Sequence, residues 1–329
     1  MTFVSEIYFS DVYVMPDRHM YVHDRTSRYG LMELDVEDWE EFQHVLFTGY
    51  KNKSSYSVIY SGSFYRVERV ETINGAIYTA RRMPKTVPDI RQLGYQKEMV
   101  NHLLSLSGAS GLLLWAGATG SGKTTAISAL LRYYLEKEGG FAYTIEDPPE
   151  LPLDGLYKSG QSTGAGGIGI CKQTEPVDED WGIALKQALR SRPKYILVGE
   201  IRTPETASQV LRASISGHLV LSTIHGNSVD DAIKSLIKYA IAAGLDEQLA
   251  ADLLSRGILG IISQRLIGVD KFYPEVRFAF ANPDVNVADP LRAQLREKDI
   301  YISTLIEMQM IRMLQNKPLF ERPESINKK

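Results

Sequence analysis

Hydrophobic positions follow two regimes along the chain. Up to about residue 83 they come in short β-branched and aromatic runs: Glu6–Phe9, Val12–Val14, Tyr56–Tyr60 and Phe64–Val70. Alternation with polar neighbours predicts half-buried strands there. Asn74-Gly75 sits between two such runs and predicts a hairpin turn, because both residue types tolerate positive φ. One helix is expected near Val36–Phe47, opened by acidic residues that suit a helix N-terminus. From about Gly94 helical spacing alternates with continuous apolar runs, Leu112–Trp115, Ala142–Ile145, Tyr195–Val198 and Leu219–Ile224. That rhythm predicts a parallel α/β sheet. Between the regimes, Pro84 and Pro88 interrupt both helix and ladder hydrogen bonding. The expected organisation is an N-terminal domain over 1–83, a linker over 84–94, a second domain over 95–315 and a solvated tail over 316–329. The stretch from Phe272 is less regular, and glycine-rich Ser159–Gly169 is expected to be a mobile loop.

Composition narrows this picture without changing it. With 329 residues and 44% hydrophobic positions, the chain can build a sizeable core without covalent staples. The single cysteine, Cys171, excludes an intramolecular disulfide framework and fits a reducing compartment. The first residues lack a basic segment followed by a long apolar run, so no secretory signal is expected. Nor does any stretch approach the ~18–20 apolar residues of a membrane span. The expectation is a cytoplasmic protein, peripheral to a membrane at most. A formal net charge of −3 lacks the basic surplus typical of nucleic-acid motors, so no direct nucleic-acid partner is expected.

The strongest chemical signal is Gly117-Ala118-Thr119-Gly120-Ser121-Gly122-Lys123-Thr124, which fits G-x-x-x-x-G-K-[ST] between an apolar strand and a helix. Glycines let backbone N–H groups turn inward around phosphates, and the helix N-terminus adds partial positive charge. Lys123 supplies a point charge for the β- and γ-phosphates, and the Thr124 hydroxyl a ligand for Mg²⁺; Thr125 continues the loop into the helix. ATP and Mg²⁺ are therefore the expected ligands. Hydrolysis also requires carboxylates to hold the metal and orient water. Tyr195–Glu200 is a strand ending in an acid, at the edge where open α/β sheets bind ligands. Glu200 there suits either the metal shell or the water. Ala142–Glu150 is a second strand, ending in Glu146, Asp147 and Glu150 around two prolines. In Gly217–His225 a strand lies between His218 and His225; Thr223 and His225 are candidates to sense the γ-phosphate and report it to a neighbouring subunit, and the alternative for either histidine is a structural role. Arg66, Arg81, Arg82, Arg190, Arg192, Arg202 and Arg212 are candidates for a finger from a neighbouring subunit.

These segments together resemble the type II/type IV secretion ATPase superfamily over roughly residues 5 to 270. That group includes pilus retraction ATPases, type II secretion ATPases and the DotB/TraJ ATPases of Dot/Icm-like secretion and conjugation. Gly117–Thr124 looks like its Walker A, Thr144–Glu150 its Asp box, Leu197–Arg202 its Walker B and Gly217–His225 its His box. Ser10–Val14 resembles the family's early strand, with Tyr13 replacing a histidine. The resemblance implies catalytic roles for Glu150 and Glu200 beside Lys123, and nucleotide contacts from Arg66, Arg81, His218 and His225. It further implies a RecA-like P-loop domain behind a smaller α+β PAS-like domain, ATP held between the two, and a homo-hexamer serving inner-membrane secretion or pilus machinery. Leu305–Gln309 departs from the helix motif of pilus retraction ATPases, and no four-cysteine zinc insert is present. The short N-terminal domain and Gly260–Leu266 look closer to the DotB/TraJ branch. The competing classes are a nucleic-acid translocase, a small-molecule kinase and a GTPase; the last lacks an [NT]-K-x-D motif after the loop.

Overall fold

The computed structural model describes residues 2–7, 9–23, 30–50, 53–158, 167–176, 180–268, 272–298 and 301–320. The chain divides into two compact units, Met1–Val87 with Asp147–Pro152, and Pro88–Glu146 with Leu153–Lys329.

The first unit is an antiparallel sheet with one helix. Strands β1 (Asp11–Val14), β2 (Met20–His23) and β3 (Leu31–Glu33) precede helix α1 (Trp39–Gly49), and β4 (Ser55–Tyr60), β5 (Ser63–Thr72) and β6 (Gly75–Arg82) follow it. The six strands run in the order β3-β2-β1-β6-β5-β4. Burial alternates residue by residue along β1 and β4, as expected when one face of a sheet meets the core. Phe42 of α1 is fully buried against that face, its ring 5.2 Å from those of Tyr60 and Tyr65. The helix starts at Trp39, three residues later than its acidic opening predicts. Glu6-Ile7 forms part of a turn instead of a strand, with Glu6 N–H donating to Phe3 O at 2.9 Å; Tyr8 lies outside the described residues. The β5–β6 turn is Ile73-Asn74, so Gly75 is the first residue of β6, paired with Thr72 and held at φ +118°.

The second unit has a sheet in the order β14-β13-β7-β12-β11-β8-β10-β9. Its strands are β7 (Gly111–Ala116), β8 (Gly140–Ile145), β9 (Gly155–Lys158), β10 (Ile168–Thr174), β11 (Tyr195–Ile201), β12 (Leu219–Ile224), β13 (Ile258–Ile267) and β14 (Tyr273–Phe280). The strands from β13 to β10 pair in parallel, and β14 and β9 close the two edges antiparallel. Helices α2 (Lys97–Ser105) and α3 (Lys123–Lys137) are followed by α4 (Trp181–Arg190), α5 (Pro204–Ser214), α6 (Val229–Ala242) and α7 (Glu247–Gly257), then α8 (Pro290–Arg296) and α9 (Ser303–Leu314). Every residue of β7 and β12 is buried, as in a parallel strand covered on both faces. Leu112, Leu114 and Ala116 share a core with α4 to α7, which sends the intervening Leu113 and Trp115 to the opposite face.

Two expectations need correction. The described residues after Phe272 include β14, α8 and α9. The last residues of the glycine-rich patch, Ile168 and Gly169, belong to β10, paired with Lys158 and Tyr157 of β9. Residues 159–166 and 321–329 lie outside the described residues.

Candidate nucleotide site

The parallel strands β7, β8, β11 and β12 end at one edge of the sheet, where the phosphate loop, Glu146, Glu200, Thr223 and His225 stand. Strand β7 leads through Gly117–Gly122 into α3, whose first residue is Lys123. Gly120 and Gly122 hold φ at +77° and +84°, the left-handed region that costs glycine little. At Gly117 a Cβ would stand 2.4 Å from Gln264 O and 2.5 Å from Ser121 Oγ, so only glycine fits. The Lys123 ammonium donates to Gly117 O at 2.8 Å and Ala118 O at 3.0 Å, folding over the loop. Gly122, the residue before the helix, gives no side-chain cap. The first-turn N–H groups of α3 are thus left for an anion. Ser121 Oγ is buried with no hydrogen-bond partner among the described residues. A glycine cradle, an inward lysine, an uncapped helix start and an orphaned hydroxyl together fit a polyphosphate. Ala118, Thr119 and Gly120 form the exposed crest of the loop, while Thr124 and Thr125 are half-buried in the first turn of α3.

Two carboxylates stand at neighbouring strand ends. Strands β8 and β11 pair Ile145 with Val198, which brings Glu146 level with Gly199, next to Glu200. A Cβ on Gly199 would lie 3.2 Å from Glu146 Cγ. Glu146 is 2% exposed and accepts from Gln173 Nε2 at 2.9 Å. The sequence names it only as one of three acids after β8, and its place directly after the apolar run is the signal that sets it apart. Glu200 accepts from Arg202 Nε at 2.6 Å. His225 Nε2 lies 2.8 Å from Glu200 Oε1, within ion-pair distance but outside hydrogen-bond alignment. Thr223 Oγ1 donates to Gly199 O at 2.7 Å, tying β12 to the Walker-B strand. The structure therefore brings Glu200, His225 and Thr223 together.

His218 is not part of this cluster. It precedes β12, and its carbonyl accepts from Gly111 N–H at 2.9 Å, at the start of β7. A six-residue strand separates it from His225, about 20 Å of extended chain. It sits at the opposite edge of the sheet from the phosphate loop, with Nδ1 2.9 Å from Ser216 Oγ. Burial depresses its pKa. The spacing that made both histidines candidates places one at each end of a strand.

Within the first unit, Asp11, Arg81 and Arg66 stand side by side across β1, β6 and β5. Arg81 Nε donates to Asp11 Oδ1 at 2.8 Å, and this contact raises the arginine's pKa. Arg66 Nη1 lies 3.4 Å from Glu150 Oε1, in the segment that packs with this unit. Both partners are more than a third exposed, so the pair contributes little to stability. Arg82 is instead structural: it donates to Ile7 O at 2.6 Å, to Val4 O and to Tyr65 OH, with its guanidinium 4.3 Å from the Phe9 ring centre. No group of three or more His, Cys, Asp or Glu side chains able to hold a metal occurs among the described residues. Mg²⁺ leaves most of its shell to water and phosphate, so Thr124 with one carboxylate would be a sufficient protein contribution. No helix among the described residues is long and apolar enough to cross a membrane.

Known proteins resemble this chain in both sequence and fold. It is 33% identical over 207 residues to a putative type II secretion system protein E of Escherichia coli, covering 61% of this chain and 37% of that one. It is 28% identical to competence protein ComGA of Bacillus subtilis, covering 78% and 71% of the two chains. A twitching motility protein of Neisseria gonorrhoeae is 30% identical, covering 72% and 59%. The chain spans little more than a third of the first of these relatives. Among solved structures, the pilus retraction motor PilT with bound ADP superposes with TM-score 0.69 at 24% identity, covering 96% of this chain and 88% of that one. The Legionella pneumophila ATPase DotB also gives TM-score 0.69, at 18% identity, covering 94% and 84%. These likenesses establish the fold: a RecA-like α/β domain with a smaller N-terminal α+β domain. A model of the Type II/IV secretion system protein family matches residues 61–298, and the chain belongs to that family.

Proposed function

We propose that this protein hydrolyses ATP with Mg²⁺ as one subunit of a homo-hexameric motor for a type IV secretion or conjugation machine of the Dot/Icm kind, docked at the cytoplasmic face of the inner membrane. The observation that carries this reading is the Gly117–Thr124 loop at an uncapped helix start, with Lys123 folded over it and Glu200 at the same edge of the sheet. Lys123 and the loop amides bind the phosphates. Thr124 offers its hydroxyl to Mg²⁺, with Glu200 in the metal's shell or on its water. When bound, Mg²⁺ neutralises charge on the phosphate oxygens. Glu150 orients the attacking water. His225, 2.8 Å from Glu200, and Thr223, bonded to Gly199 O, sense the γ-phosphate and report it to a neighbouring subunit. Arg66 and Arg81 add positive charge for the phosphates. A second reading, a type IV pilus retraction or assembly motor, is favoured by the PilT fold and by the twitching motility relative.

The test is phosphate release from ATP with Mg²⁺, in wild type and in Lys123→Ala, Glu150→Gln and Glu200→Gln, each with and without DNA. Turnover lost in Lys123→Ala and indifferent to DNA is the expected result. Strong DNA stimulation would move the assignment to a nucleic-acid translocase. Glu150→Gln is expected to retain nucleotide binding and lose turnover by about 100-fold or more. Normal hydrolysis by that variant would remove Glu150 from its role.

A further inference from the structure

Gln264 is a polar residue within the apolar run of β13, and it is 3% exposed. Three of the four hydrogen-bonding positions of its carboxamide are engaged. Oε1 accepts from Trp115 Nε1 at 3.2 Å and from Tyr95 OH, and Nε2 donates to Ser121 O at 2.7 Å. The two donors on Oε1 and the carbonyl facing Nε2 fix the orientation of the amide. Its partners lie on three different segments: Tyr95 follows the proline-containing linker, Trp115 is in β7, and Ser121 is inside the phosphate loop. The main-chain oxygen of Gln264 also walls Gly117.

The bond to Ser121 O has a geometric consequence. The peptide between Ser121 and Gly122 is planar and trans, so its N–H points opposite to its C=O. Holding the Ser121 carbonyl toward Gln264 turns the Gly122 N–H away from Gln264. A phosphate loop works by presenting such N–H groups inward. We propose that Gln264 is a positioning residue that sets the Ser121–Gly122 peptide so that the Gly122 N–H serves as a phosphate donor, with Tyr95 and Trp115 holding the amide in register. This rests on the nucleotide-binding reading above.

Gly122 N–H would contact phosphate in both the bound and the reacting state. Losing its orientation should then weaken binding uniformly, raising KM and leaving kcat alone. Gln264→Met keeps length and apolar packing and loses all three hydrogen bonds. It should raise the Kd for a fluorescent ADP analogue and the KM for ATP by about ten-fold, with kcat within about two-fold. Tyr95→Phe removes one donor from Oε1 and keeps the Ser121 contact, so its Kd should move by no more than about three-fold. Gln264→Glu is the second variant if the Met form does not fold. Its carboxylate keeps both accepted bonds but repels the Ser121 carbonyl, and it should raise Kd at least as much. A purely structural role would instead make Kd follow the thermal midpoint across all three variants, and that pattern would overturn the proposal. So would unchanged Kd in a folded Gln264→Met or Gln264→Glu protein. Wild type that binds no ADP analogue would overturn the nucleotide-binding reading itself.

Discussion

At the scale of single residues, the phosphate loop separates glycines that must be glycine from those that merely prefer to be. Gly117 has no room for a Cβ, because the obstacles are a main-chain oxygen and a loop hydroxyl. Gly120 has a left-handed φ but nothing within 4 Å of a built Cβ. Gly120→Ala should therefore cost only the left-handed penalty, about 1 kcal/mol, with nucleotide affinity within a few-fold of wild type. Gly117→Ala should displace the loop, costing about 1–3 kcal/mol and raising the Kd for ADP by about ten-fold or more. Paired melting curves and titrations of the two variants check this. Equal effects on affinity would mean that the close approach to Gln264 is not what shapes the cradle. The G-x-x-x-x-G-K-[ST] spacing marks the loop, but it cannot rank its glycines, since the nearest obstacle at Gly117, Gln264 O, lies on a strand more than a hundred residues later.

At the scale of elements, what the sequence disclosed follows from how local each signal is. Helix α3 spans Lys123–Lys137 and β12 spans Leu219–Ile224, as the apolar patterns predict, because buried parallel strands and their crossover helices are written in continuous runs. Strand β14 was missed because Tyr273-Pro274-Glu275-Val276-Arg277 is a half-exposed edge with charged outward positions, and its register comes only from pairing with β13. The hydrogen-bonded role of Gln264 was equally invisible, since Tyr95 lies 169 residues away in sequence. Another long-range contact carries a pH prediction. His102 of α2 sits edge-on to Phe280 of β14, ring centres 4.4 Å apart, with Nε2 buried and unpartnered among the described residues. Burial lowers its pKa from 6.5 to about 4. Because the folded pKa is depressed, the unfolded chain takes up the proton first. The neutral form thus supports the fold above pH 6.5, and stability falls as pH drops from there toward 4. Between neutral pH and pH 5 the loss should be about 2 kcal/mol. Urea denaturation of His102→Phe at the two pH values should show that much less acid sensitivity than wild type. An identical slope would mean that the imidazole takes its proton without opening the α2–β14 contact.

At the scale of the whole molecule, the two units have separate cores and separate ways of closing them. The core of the second unit is built from strand residues that pack under α4 to α7. The first unit depends on one sheet face, on α1 and on Arg82. That arginine gathers the carbonyls of Val4 and Ile7, the Tyr65 hydroxyl and the Phe9 ring, and so ties the segment before β1 to β5 and β6. A planar guanidinium can serve these partners together, and an ammonium cannot. Arg82→Lys should lower the stability of the first unit by about 2 kcal/mol. Hydrogen exchange localises the effect, because amides open with the cooperative unit that protects them. Exchange in β1, β5 and β6 should accelerate by about 30-fold, the factor that corresponds to 2 kcal/mol, while β7 and β12 keep wild-type rates. Acceleration spread evenly over both sheets would mean that the chain opens as one unit despite its two cores. Acceleration confined to the residues before β1 would mean that Arg82 pins a terminal segment and does not brace the sheet. The expected pattern places this arginine in the folding of the first unit.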